Sequence, residues 1–464
     1  MTEPAITTDY LIKGAGATAM AFADTLLTET DATMVLVDRR DRPGGHWNDA
    51  YPFVRLHQPS ANYGVPSAPL GSGRIDEAGS NAGFHELAAG HEVLSHFDGV
   101  MRQRFLPSGR VTYLPMSELG DDGVVTSMLS GEQRRIEARR FVDATHSKMQ
   151  VPSTTPPSYA VGAGVVCAPL NDLPRAAPRY DRFVVIGAGK TGMDACIWLL
   201  ENGADPDQIT WIVSRDPWVL NRGNFQPGDS FFARFCESIA DQAEAVAQAD
   251  SIEDVFARLE VADELRRIDP TVTPTAYHCA ILSDGELAQL RRIGNVVRMG
   301  HVTAIDTAEI HLDGGTIPMD AGTTLYVDCS AAGIPTHPST PVFDGDRITL
   351  QWVRTCQPTF SAAFIGHVEA TYPDEAQKNH LCTPIVPPTV PLDWLRMYQV
   401  ELANRTRWAE DSGIGDWVAD SRLDAVTGNI RTRLGVDAEA AAHLGRYLEH
   451  MAPAAAKLDQ LLTD

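Results

Sequence analysis

The chain has 464 residues, 44% of them hydrophobic and 21% charged, and a formal net charge of −23. That length exceeds one ordinary core and predicts two or three domains of a soluble globular protein, while the acidic balance argues against nucleic acid or an anionic membrane as the main partner. Seven scattered cysteines, with no CxxC pair and no metal-type spacing, exclude a CxxC dithiol centre and a clustered metal site, and predict free, packed thiols in a reducing cytoplasm. The N-terminal stretch carries no basic segment followed by an apolar one, and no run reaches spanning length, so a cytoplasmic location is expected.

From Tyr10 to Leu27 the text YLIKGAGATAMAFADTLL reads as a strand, a glycine turn and a helix. Gly14 and Gly16 serve the turn and the close approach of a pyrophosphate, and Ala19 is small enough for helix packing. Lys13 is either a solvated strand end or a cation near the phosphates. A second strand, Thr33 to Val37, ends in Asp38, with Arg39 beside it, at the spacing expected of a carboxylate that holds ribose hydroxyls. Then come Gly44-Gly45-His46-Trp47, Tyr51-Pro52 and Arg55.

With these residues the chain resembles the class B flavin-dependent monooxygenases, the flavin-containing and Baeyer-Villiger type. The resemblance implies that Gly14, Gly16 and Ala19 line the FAD pyrophosphate and that Asp38 holds the adenosine ribose. Gly44, Gly45 and Trp47 would lie along the cofactor toward the flavin, with Arg39 and Arg55 as further cofactor-binding candidates. Two departures stand out. Phe53 replaces the glycine of the YPG stretch, and His57 and Gln58 stand where relatives carry Asp and, in some branches, Asn; both are candidate catalytic residues.

A helix around Val93, Leu94, Phe97, Val100 and Met101 and a strand at Arg110 to Leu114 follow. His85, His91 and His96 are read as surface or packing residues. Val142-Asp143-x-Thr145 and Val327-Asp328-x-Ser330 resemble each other, and in the family such segments mark the exits between an FAD domain and an inserted NADPH domain. Inside the insertion, Arg182 to Asp194 reads RFVVIGAGKTGMD: an apolar strand, then Gly187, Gly189, Lys190, Thr191 and Gly192, then a helix stopping at Asn202-Gly203. The next strand, Ile209 to Val213, is followed by Ser214 and Arg215, a hydroxyl and a guanidinium suited to a 2′-phosphate. This is an NADPH loop, or else a glycine turn that binds nothing. Trp218 and Arg222 are nucleotide-side candidates or solvent-facing loop residues, and Phe231 to Leu290 is helical.

The family's FxGxxxH-type string is missing, so Baeyer-Villiger chemistry is not supported. Near the end, Phe364-Ile-Gly-His367 resembles the strand and loop that return to the isoalloxazine, making His367 a third catalytic candidate. Glu369, Lys378 and Asn379 are polar residues there, and the helix Asp374 to Leu381 would point its N-terminus at the flavin. A terminal helix, Asp437 to Leu462, is expected to pack on its own domain.

The expected fold is α/β, a two-dinucleotide-binding-domain flavoprotein with a Rossmann-like FAD domain, an inserted Rossmann-like NADPH domain and a helical cap. The FAD domain takes residues 1–150 and 325–464, and the insertion takes 151–324 with its helical part at about 225–295. The expected function is an FAD-dependent oxidoreductase taking hydride from NADPH, a monooxygenase whose C4a-(hydro)peroxyflavin oxygenates a small molecule with O2. The alternatives are a reductase or oxidase serving a quinone, disulfide or protein acceptor, and a nucleotide-binding protein without turnover.

Overall fold

The computed structural model describes residues 5–335, 338–424 and 426–463. β1 (Ile6–Lys13) leads through the first glycine loop into α1 (Ala17–Glu29) and β2 (Met34–Val37), and α2 (Gly90–Val100) crosses to β3 (Val111–Leu114). A small antiparallel excursion, β4 (Ser117–Leu119) and β5 (Val124–Ser127), precedes the long β6 (Gln133–Asp143). The sheet runs in the order β6-β1-β2-β3, all parallel, and a hairpin of residues 343–349 extends it beyond β6. α1 is apolar on nearly every face because it lies between this sheet and a second helix, which leaves it no solvent side.

The chain then builds the same pattern again. It passes β7 (Ala160–Val161), β8 (Cys167–Pro169) and α3 (Leu173–Ala176). β9 (Arg182–Ile186), α4 (Lys190–Glu201) and β10 (Ile209–Ile212) repeat strand, helix, strand. An insertion follows: β11 (Pro217–Asn221), α5 (Phe232–Ala247), α6 (Ile252–Val261), β12 (Leu265–Arg266), β13 (Ala276–Leu282) and α7 (Asp284–Leu290). β14 (Val296–Val297), β15 (Val302–Ile305), β16 (Glu309–Leu312), β17 (Gly315–Pro318) and β18 (Thr324–Asp328) complete this half. The parallel sheet β14-β10-β9-β18-β8 has the connectivity of the first, with β18 beside β9 as β6 is beside β1.

The likeness between residues 142–145 and 327–330 is this repeat seen at atomic scale. Asp143 Oδ1 accepts from the Thr145 amide (2.9 Å) and hydroxyl (2.8 Å). Asp328 Oδ1 accepts from the Ser330 amide (3.1 Å) and hydroxyl (2.6 Å). Each motif closes the strand next to a glycine loop.

Several expectations are corrected here. β18 pairs with β9, so Leu325 to Asp328 belongs to the second sheet, and the chain rejoins the first only at β19 (Phe343–Asp344) and β20 (Arg347–Thr349). The stretch 225–295 is not wholly helical, because it contains β12 and β13, both of which pair with β11 just before it. Phe364 to His367 is neither strand nor loop but the middle of α8 (Pro358–Thr371), the apolar helix that covers α1. Beyond it lie α9 (Glu375–Leu381), α10 (Pro391–Glu410), α11 (Ser412–Asp420), α12 (Thr427–Arg433) and α13 (Ala438–Thr463).

α13 packs both on α5 of the insertion and on α10: Leu444 and Ala440 bury against Phe232 and Cys236, Arg446 pairs with Asp241 and Glu244, and Leu458 and Leu461 bury with Trp394 and Leu395 while Asp459 accepts from Gln399. The cysteines are not all free, since Cys279 and Cys356 form a disulfide. Among the described residues no helix is long and apolar enough to cross a membrane.

Candidate functional site

Both glycine loops lie at the carboxyl ends of parallel strands, where an open α/β sheet leaves a crevice at the reversal of strand order. In the second loop the three glycines have separate duties. Gly187 has φ +130°, and a Cβ there would fall 2.3 Å from the Cys329 carbonyl oxygen; a Cβ on Gly192 would fall 2.1 Å from the Gly187 oxygen. Gly189 caps α4, and a Cβ there would meet nothing within 4 Å. That open point at a helix N-terminus is the place for a phosphate to approach. In the first loop Gly14 has φ +98° and Ala19 is fully buried, while Gly45 folds back onto Gly16, whose added Cβ would meet the Gly45 Cα at 3.5 Å.

Asp38 sits just past β2 and is buried; its carboxylate accepts from the Ala15 amide (2.6 Å) and the Arg40 amide (2.8 Å). It thereby fixes the loop and keeps lone pairs for a ribose. Arg39 is exposed, 3.3 Å from Glu118, and Arg55 is exposed too, joined to Ala89 by its backbone. Trp47 is buried, stacks on His46 and donates through Nε1 to the Tyr63 hydroxyl at 2.9 Å.

Phe53, the departure from the family's glycine, stacks on Trp198 of α4 with ring centroids 5.2 Å apart. Tyr51 beside it donates to Asp194 at 2.5 Å. The first half thus grips the second through the helix that carries its glycine loop. Lys190 bonds Asp194 and lies 3.6 Å from Glu286; Thr191 opens α4, half-buried. Ser214 is half-buried and Arg215 exposed just beyond β10, where they can meet a ribose phosphate.

His57 and Gln58 lie where the two halves meet. Arg222, completely buried, donates from Nε to the His57 carbonyl (3.3 Å) and from Nη1 to Asn81 (3.1 Å), and pairs with Glu286 at 2.6 Å. Neither Arg222 nor Trp218 faces solvent: Trp218 is core, stacked on Phe256. Burial, with the Lys190 and Arg222 cations nearby, pushes the His57 imidazole down to about 3. It is therefore neutral at physiological pH. Its Nδ1 is buried without a partner, as is Asn62 Oδ1.

Gln58 opens onto a cavity of about 540 Å³, within the range of small-molecule sites. Its wall is largely apolar, with Phe235, Trp394, Met397 and Tyr398 among the lining side chains. Charged side chains interrupt it, among them Glu264, Arg354, Glu401, Arg405 and Asp424. Glu264, nearly wholly buried, accepts from Asn224 (2.7 Å), Ser238 (2.8 Å) and Gln242 (2.8 Å), and burial raises it to about 7. Glu264, on the bend before β12, and Glu286, on α7, carry no local sequence signal, because their partners converge on them only in three dimensions.

His367 is elsewhere. It bonds Glu29 at 2.7 Å and stacks on Trp417. Glu29 ends α1, about 18 Å from the glycine loop at 1.5 Å per helical residue. Glu369 and Lys378 form a buried ion pair at 2.6 Å, and Asn379 holds the main chain of Phe343. The N-terminus expected to face the flavin from Asp374 therefore belongs to a helix beside the β19–β20 hairpin. α8 has the better position. Gly366 lies against Phe22 and Thr25, and His367 against Glu29, so α8 runs alongside α1 in the same direction. Its N-terminus accordingly shares the glycine-loop end, with Gln357 Oε1 buried there and unpartnered.

No protein-family model matches the chain. Uncharacterized proteins of Mycobacterium tuberculosis and Mycobacterium bovis are 52% identical over 419 residues, covering 90% of this chain and 78% of each relative. Among solved structures, an oxidized steroid monooxygenase bound to NADP aligns over 98% of both chains at 13% identity and a TM-score of 0.50. A flavin-containing monooxygenase from Stenotrophomonas maltophilia aligns over 79% of this chain and 98% of its own, at 14% identity and a TM-score of 0.46. A bacillithiol disulfide reductase from Bacillus cereus aligns over 79% of this chain and 99% of its own, at 13% identity and a TM-score of 0.45. The end-to-end likeness to the steroid monooxygenase is one of fold: two dinucleotide-type domains, the second inserted in the first.

Proposed function

Because this chain belongs to the family of those mycobacterial proteins and has the flavin monooxygenase fold, we propose that it is an FAD-dependent oxidoreductase that takes hydride from NADPH and oxygenates a small molecule with O2. The observation that carries the reading is the pair of glycine loops, each at the head of a parallel sheet, with an apolar cavity beginning at Gln58 where the two halves meet. The orphaned His57 Nδ1, Asn62 Oδ1 and Gln357 Oε1 and the open cradle at Gly189 suit bound groups rather than a closed core.

Bound FAD would supply the two-electron chemistry and, once reduced, the reaction with O2. The chain's own residues do the rest. Gly14, Gly16 and Ala19 let the first loop approach a pyrophosphate, and Asp38 holds a ribose. Gly44, Gly45 and Trp47 line the way toward the junction. Gly187, Gly189, Lys190, Thr191 and Gly192 form the NADPH loop, and Ser214 and Arg215 select the 2′-phosphate. His57, kept neutral, offers Nδ1 as a hydrogen-bonding atom and does not act as an acid. Gln58 orients a substrate at the cavity mouth.

The purified protein should be yellow, release FAD on denaturation and bleach with NADPH in the absence of air. Product formed under isotopically labelled O2 should carry the label. A colourless protein that releases no flavin would refute the reading; bleaching without oxygen incorporation would leave a reductase. A specific feature favours that second reading: the disulfide on the cavity wall.

A further inference from the structure

Cys279 lies on β13 of the insertion, and Cys356 lies 77 residues later, in the segment that rejoins the first sheet. The disulfide joining them crosses from one half of the molecule to the other. Cys279 is buried; Cys356 is half-buried and lines the same cavity as Gln58. Cys356 also precedes Gln357, the cap of α8, whose N-terminus shares the glycine-loop end of the first domain. No other pair of cysteines is joined among the described residues. Cys196, Cys329 and Cys382 are buried thiols held far above the ordinary range by burial, and Cys167 is raised to about 11. A disulfide that only stapled the chain would have no need of a cavity wall.

We propose that Cys279–Cys356 is a second two-electron site of this protein, an internal acceptor for the electron pair delivered by NADPH through the flavin. The proposal rests on the hydride transfer proposed above. The S–S bond breaks and takes up two electrons and two protons. One proton enters with the hydride and the other from solvent, so that NADPH, H⁺ and the disulfide give NADP⁺ and two thiols. The α8 N-terminus favours negative charge on the sulfur released at Cys356, while Cys279 stays as a buried thiol. The reduced protein would thus present a nucleophilic sulfur to whatever occupies the cavity, and the covalent tie between the two halves would open.

The test is a reductive titration of the flavin-loaded protein without air, followed by alkylation and peptide mass spectrometry. Wild type should consume about two equivalents of reductant per flavin, one for each two-electron couple, and the Cys279→Ser/Cys356→Ser variant about one. The new alkylation should fall on Cys279 and Cys356. Circular dichroism of the variant checks that it is folded, and the wild-type count stands even if it is not. Dithionite run in parallel with NADPH separates the two proposals. Two equivalents with dithionite but none with NADPH would refute the NADPH reading and leave the disulfide as a flavin-linked acceptor. Flavin-free protein should gain no thiols under the same dithionite. One equivalent in wild type with no new thiols, or thiols appearing equally without flavin, would overturn the proposal.

Discussion

Gly189 and Gly192 stand three residues apart at the head of α4, yet alanine should affect them in opposite ways. At Gly192 the added methyl would lie 2.1 Å from the Gly187 oxygen, a backbone atom fixed against Cys329. The helix must move, and overpacking of this kind costs about 1–3 kcal/mol, which lowers Tm by several degrees. At Gly189 the methyl meets nothing within 4 Å. Losing glycine at the cap costs some tenths of a kcal/mol, offset by about 0.4–1 kcal/mol from the stiffer unfolded chain. Gly189→Ala should therefore melt like wild type. If this is the NADPH loop proposed above, its methyl enters the space of the pyrophosphate, and losing one charge-assisted hydrogen bond, about 1.5–3 kcal/mol, weakens NADPH binding by roughly 10- to 150-fold. Calorimetric titration with NADP⁺ beside thermal melts reads both quantities. Gly189→Ala binding NADP⁺ with wild-type affinity would refute the assignment of this loop.

Arg215→Ala should cost about 1–3 kcal/mol of NADPH binding and leave NADH unaffected, erasing any preference between them in steady-state kinetics. Arg222→Met removes the buried partner of Glu286 and should destabilise by about 3–5 kcal/mol, measured by urea unfolding. Glu264 binds its proton more tightly folded than unfolded, so the stability tied to protonation is present below about pH 4.5 and lost as pH rises to about 7. Glu264→Gln should flatten the Tm profile across that window; an unchanged slope would mean that other groups set it. Phe53→Gly should loosen the grip on α4, seen as faster protease cleavage between the halves with NADP⁺ affinity reduced only modestly.

Local sequence carried the glycine loops because their chemistry is local: turn, approach and helix packing all fall within six residues. It carried the Asp143 and Asp328 motifs for the same reason, since each carboxylate bonds a residue two positions on. What depends on distant partners was not legible. Nothing near Cys279 points to Cys356, and spacing alone favoured free thiols. Phe364 to His367 is apolar enough for a buried strand, and only the presence of α1 as a covering partner makes it helix. Arg222 looks like a loop residue until Glu286, Asn81 and the His57 carbonyl surround it.

The return of α13 to α5 has a consequence for the protein as a unit of inheritance and engineering. An inserted domain is ordinarily a module that can be cut out at its two linkers and grafted elsewhere. Here the last 26-residue helix of the chain, which follows both linkers, supplies part of the insertion's core. The excised insertion would expose the apolar face of α5, and in the host left behind α13 would keep only its packing on α10. Swapping the inserted half between relatives should thus succeed only when α13 travels with it.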